Sequence, residues 1–230
     1  DVAPDTLTTT MPRFATQSPD GQSVVFESMG RLYVKRDGED AKRLTRDNTS
    51  AVEFSPAFSP DEKEVYFLTW SDDALGSVRK VSARGGRSQN VLATPGHYVD
   101  LSVSSDGETL LFAKLSGNSL TNPHWGKNTG IYVFELGDDE AQFVSRRGRS
   151  PHFGPEDRIY ANERASSAVG RGSDDASTEL ISMNHDGEDA RTHASSPLAT
   201  VIRMSPVGKH VAYLEAGRLY VAALPMTGRS

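Results

Sequence analysis

The sequence predicts an all-β chain: a β-propeller of four-stranded antiparallel blades, with about five repeats present and the set not necessarily complete. Three observations carry that prediction. A turn of the Ser-Pro-Asp-Gly type recurs, headed by Ser18, Ser59, Ser104, Gly154 and Ser205 at intervals of 41, 45, 50 and 51 residues, which fits the ~40–50-residue period of propeller blades. Each turn is followed by a short apolar run rich in β-branched and aromatic residues, the composition of a strand buried between neighbouring blades. No stretch shows a sustained helical period.

Each element has a physical reason. Ser18-Pro19-Asp20-Gly21 combines a proline that presets the first corner, side chains that bond nearby amides, and a glycine for the corner other residues resist. Val24-Val25-Phe26 follows it, as Val65 to Leu68, Leu110 to Phe112, Ile159-Tyr160 and Val211 to Leu214 follow the other turns. A third strand comes next: Gly30-Arg31-Leu32-Tyr33-Val34 is matched residue for residue by Gly217-Arg218-Leu219-Tyr220-Val221. The hairpin Asp37-Gly38-Glu39-Asp40-Ala41 reappears as Asp186 to Ala190, and Asp-Gly between strands is a strong hairpin signal. In the first blade the strands fall at Arg13 to Thr16, Val24 to Ser28, Arg31 to Lys35 and Ala41 to Thr45. The repeats lie near residues 11–45, 53–94, 98–145, 150–195 and 199–225. In three turns Glu62 replaces glycine, Ser105 replaces proline, and Gly154 to Asp157 is shortened, substitutions expected to weaken single turns.

Composition narrows function. Lys plus Arg number 25 against 31 Asp plus Glu, a net charge of −6, which offers no general basic face for nucleic acid. Arg146, Arg147 and Arg149 form the densest basic spot and read as a solvated hairpin tip. Cysteine is absent, which removes disulfides, thiol nucleophiles and thiolate metal sites. No apolar run approaches the ~18 residues of a membrane helix, so no membrane insertion is expected.

These motifs resemble the TolB-type, or PD40, propeller repeat, with its S-P-D-G turn, "G-x-L-Y-V" strand and "R-L-T" close, seen here from Ser18 to Arg43-Leu44-Thr45. More narrowly, the chain is similar to the propeller portion of large secreted bacterial proteins that join such blades to a C-terminal metal-dependent amidohydrolase domain. Thr10 to Ala15, Val81 to Gly86, Pro95 to Val99, Ser150 to Gly154 and Tyr220 to Pro225 carry that narrower likeness. The resemblance implies a periplasmic or secreted bacterial setting and a partner that is a protein domain or peptide, including such a hydrolase domain. The missing initiator Met fits either a processed mature end or an arbitrary boundary, and the fifth repeat's stop near Pro225 leaves open a fragment of a longer chain. Thr6 to Thr10 is a candidate for a missing outer strand.

A search for chemistry finds no catalytic constellation. No two of the six histidines stand in a His-x-His pair, and neither His-Glu-x-x-His nor Gly-x-Ser-x-Gly occurs. No cofactor and no metal site are expected. Gly170 to Asp175 reads as a loop, and Asn184 to Glu188 as a hairpin despite its calcium-loop flavour. Trp70 and Trp125 fall in segments expected to connect strands. What remains is the propeller axis, where inner strands would present Arg13, Glu53, His97, Tyr98, Asp100, Arg149, His152 and Arg203 at one mouth. Two readings stand for this ring: a site for a peptide end, small anion or neighbouring domain, or a wet channel whose groups satisfy one another. The function expected is a non-catalytic scaffold that supports or gates a hydrolase domain. The alternatives are a stand-alone TolB-like interaction module of the cell envelope and small-ligand or peptide binding at the channel.

Overall fold

The computed structural model describes residues 11–116, 128–165 and 176–224. Thr6 to Thr10, Trp125 and Gly170 to Asp175 lie outside the described residues. The chain divides into two compact units, the first ending at Gly96 and the second starting at His97.

In the first unit, strands β1 (Arg13–Gln17), β2 (Ser23–Ser28), β3 (Arg31–Arg36) and β4 (Lys42–Arg43) form one antiparallel sheet in chain order. The next sheet runs through β5 (Val52–Phe58), β6 (Glu64–Ser71), β7 (Leu75–Ser82) and the opening of β8 (Gln89–Val103). Trp70 belongs to β6, paired with Gly76, rather than to a connection; its indole N–H reaches Asp72 at 3.2 Å. Val25, Leu32, Val34 and Leu44 of the first sheet pack on Val65, Phe67 and Val81 of the second. Each such side chain withdrawn from water contributes ~1.5–3 kcal/mol.

The second unit repeats the plan. The later part of β8 pairs with β9 (Thr109–Leu115), which pairs with β10 (Gly130–Glu135) and then β11 (Gln142–Ser145). Strands β12 (Arg149–Phe153), β13 (Ile159–Ala165), β14 (Ser177–Met183) and β15 (Arg191–Ser196) make the next sheet. The last described sheet has three strands, β16 (Ala199–Met204), β17 (His210–Glu215) and β18 (Arg218–Ala223). Leu111, Ile131, Val133 and Val144 meet Ile159, Ala161, Ile181 and Met183 across one junction. Tyr160 and Leu180 meet Ile202, Met204 and Val211 across the next.

The recurring turn closes through its side chains. Ser18 Oγ donates to Asp20 at 2.6 Å while accepting the Ser23 amide at 2.9 Å. Ser59 with Asp61 and Ser104 with Asp106 repeat the pattern. The three departures from the motif do more than weaken turns. Glu62, at φ 61° in the glycine position, accepts the Asp20 amide of the neighbouring blade at 2.6 Å. Ser105, freed from being proline, donates its amide to Asp157 at 2.8 Å and its hydroxyl at 2.6 Å. Asp157 is supplied by the shortened fourth turn, so the irregular turns tie adjacent blades together.

Candidate functional site

Four inner strands carry a register shift at the same place, five to two residues before the recurring turn. Register shifts fall between Arg13 and Thr16, Phe54 and Ala57, Val99 and Ser102, and Arg149 and His152, with a fifth between Ala199 and Val201. In the first four the chain passes through the left-handed region at Phe14, Ser55, Asp100 and Ser150, φ 50–58°. Such a bulge bends the strand and re-aims neighbouring side chains. Asp100 lies in one such shift, and Arg13, Arg149 and His152 flank two others.

Arg13 and Glu53 belong to the first unit. Arg13 Nε donates to the fully buried Glu27 at 2.6 Å. Glu53 is 1% exposed; it accepts Thr45 Oγ1 at 2.7 Å and the Leu32 amide at 3.0 Å, with the Arg31 guanidinium 3.9 Å away. These bonds join the two blades of the unit, and Glu53 also borders a cleft of about 530 Å³ with Asp47, Thr69, Arg79 and Asn90.

The other six lie in the second unit. Tyr98 is buried edge-on against Phe112, centroids 5.0 Å apart, and burial pushes its hydroxyl up to about 12. His97 is half-buried beside it. His152 is buried, and its Nε2 accepts the Met204 amide at 2.9 Å. That bond leaves the proton on Nδ1, which points to the Ser150 carbonyl at 3.3 Å. Burial first, then the Arg203 guanidinium, lowers His152 to about 4. The same burial raises the Asp100 carboxyl above its ordinary range, opposed by Arg203 and the Ser150 amide. Asp100, His152 and Arg203 thus share one electrostatic neighbourhood.

Asp100 and Arg149 also share a cleft of about 550 Å³ with Lys114, Arg146 and Ser150, within the ~300–1,000 Å³ range of small-ligand sites. Lys114 and Arg146 were not among the residues singled out as site candidates. Arg146 carried a signal in Arg146-Arg147-Gly148-Arg149; its arginines are exposed as expected, but the segment links β11 to β12 instead of capping a hairpin. Lys114 ends the apolar strand β9 and carried none. Among the described residues no group of three or more His, Asp or Glu side chains is placed to hold a metal. His185 Nε2 instead meets the Asp157 carbonyl at 2.9 Å, and His193 meets Ser182 at 2.7 Å.

No family model matches the chain, and no curated protein matches it. Solved structures do. A protein assigned as TolB from Agrobacterium tumefaciens superposes with a TM-score of 0.68 at 16% identity, over 94% of this chain and 80% of that one. The fold is a TolB-like β-propeller. TolB from Acinetobacter baumannii gives 0.64 at 15% identity over 91% of this chain, which spans about half, 51%, of the neighbour. An oligogalacturonate lyase in complex with manganese gives 0.64 at 13% identity, over 91% of this chain and 61% of that one. At such identities the TolB-like likeness is one of fold. Among the described residues no helix is long and apolar enough to cross a membrane.

Proposed function

We propose that this chain is a non-catalytic binding and scaffolding module, the propeller part of a larger periplasmic or secreted amidohydrolase-like hydrolase, where it supports or gates substrate access. One observation carries the binding role: in the second unit, Asp100, Lys114, Arg146 and Arg149 line one cleft of about 550 Å³. The groups present can orient and neutralise a ligand, and a protein domain or peptide is the partner such a surface suits. The sequence motifs shared with hydrolase-linked propellers support the larger assignment.

The test uses the full gene product and this chain side by side. Hydrolysis of amide or ring-amide substrates is expected from the full product and absent from the chain alone. Deleting the propeller should raise KM for bulky substrates more than it lowers kcat. Turnover by the isolated chain would overturn the reading. A stand-alone interaction module of the cell envelope is the second reading, favoured by the 80% coverage of the first TolB neighbour. A native gene product of 24.9 kDa, the mass of these residues, would select it.

A further inference from the structure

We infer that the cleft of the second unit binds carboxylate ligands, gripped by Arg146 and Arg149; this rests on the binding-module reading of the same cleft. Three arginines crowd the β11–β12 link, and their fates differ. Arg147 is taken up by Glu163, at 3.0 and 2.6 Å through two nitrogens. Arg146 and Arg149 make no salt bridge among the described residues, and both border the cleft. Lys114 joins them there, its ammonium 5.9 Å from the Tyr132 ring centre. Three cations and one acid, Asp100, therefore line the cleft, in a chain whose net charge is −6.

Both arginine side chains are exposed, and the backbone between them is constrained. Gly148 between them sits at φ 91°, and a Cβ there would lie 2.6 Å from the Ala161 Cβ on β13. The link is thus pressed against the neighbouring strand, and Arg149 leads into the left-handed Ser150.

Guanidinium forks suit carboxylate and phosphate alike. The peptide or protein partner of the proposed module decides between them, since the anionic groups of a peptide are carboxylates. A peptide C-terminus and an acidic side chain share the favoured chemistry.

The experiment titrates the chain with a fluorescein-labelled hexapeptide containing three Glu residues, as free acid and as C-terminal amide, and with its Gln counterpart. Binding of the Glu peptide is expected to be at least about tenfold tighter than that of the Gln peptide, and R146Q or R149Q should each weaken it about tenfold. D100N still accepts the Ser150 amide and suits φ 58°; it should tighten binding several-fold. Loss of binding on amidation assigns the grip to a chain terminus, and retention assigns it to side chains. Equal binding of the Gln peptide, unaffected by either arginine variant, overturns the carboxylate inference and leaves the binding-module reading standing. Competition by inorganic phosphate at the potency of the Glu peptide overturns it as well. Failure of every peptide to bind a correctly folded chain overturns the inference, and the hydrolase assay then judges the module separately.

Discussion

Asp157 accepts both the amide and the hydroxyl of Ser105, at 2.8 and 2.6 Å, across two neighbouring blades. Proline stands at the equivalent position of the first two turns and has no amide proton to give. Ser105→Pro would restore the repeat motif yet break both bonds. It should destabilise the chain by about 1–3 kcal/mol, each of the two bonds contributing ~0.5–1.5 kcal/mol. Urea denaturation decides it, and an unchanged or higher midpoint would show that these bonds contribute nothing.

His152 predicts how stability depends on pH. Its folded value, about 4, lies below the ordinary 6.5. Between those values the unfolded chain binds the extra proton, so acid favours unfolding. The neutral-imidazole contribution is complete above pH ~6.5 and is lost as pH falls towards 4, about 3 kcal/mol in all. His193, lowered mainly by its own burial, acts in the same direction. His152→Gln removes this titration, so its melting temperature should vary less between pH 6.5 and 4.5 than that of the parent. Parallel pH profiles for the two proteins would refute the assignment.

The two Asp-Gly hairpins look alike in sequence and differ in surroundings. Gly38 and Gly187 have φ 72° and 79°. A Cβ on Gly38 meets nothing within 4 Å, whereas one on Gly187 would lie 2.3 Å from the Val144 carbonyl oxygen. Gly38→Ala should therefore cost only the conformational penalty of ~1–2 kcal/mol. Gly187→Ala must also push back the preceding blade and should cost clearly more. Equal losses in thermal denaturation would rule out the close approach.

The duplicated third strand gives the sharpest contrast. Leu32 is fully buried while its sequence twin Leu219 is 72% exposed. Leu32→Ala should cost ~2–5 kcal/mol, whereas Leu219→Ala should fall within ~0.5 kcal/mol of the parent. A large loss at Leu219 would mean that this face is covered in solution.

These pairs show what a repeated sequence can and cannot reveal. Alternating apolar residues and turn chemistry act over a few residues, so the Ser18, Ser59 and Ser104 turns and the strands after them were legible directly. The candidate site was legible only in part. Asp100 and Arg149 could be named because they stand at inner-strand starts, but Lys114 reaches the same cleft from the far end of β9, distant in sequence. His152 illustrates the reverse case. Its place near an inner-strand start put it with the ring, and the structure buries it and gives its Nε2 the amide of Met204.

The sequence by itself determined the all-β class, the blade period, the Ser–Asp turns and the absence of thiol chemistry, because each follows from residue type and local spacing. Only the tertiary structure decided that Glu62 and Asp157 tie blades together, that Arg146 and Arg149 line one cleft with Asp100 while Arg147 pairs with Glu163, and that identical Gly-Arg-Leu-Tyr-Val strands are buried at Leu32 and bare at Leu219. Burial and partner choice depend on which strand packs opposite, and the residues opposite lie some 20–50 positions away along the chain.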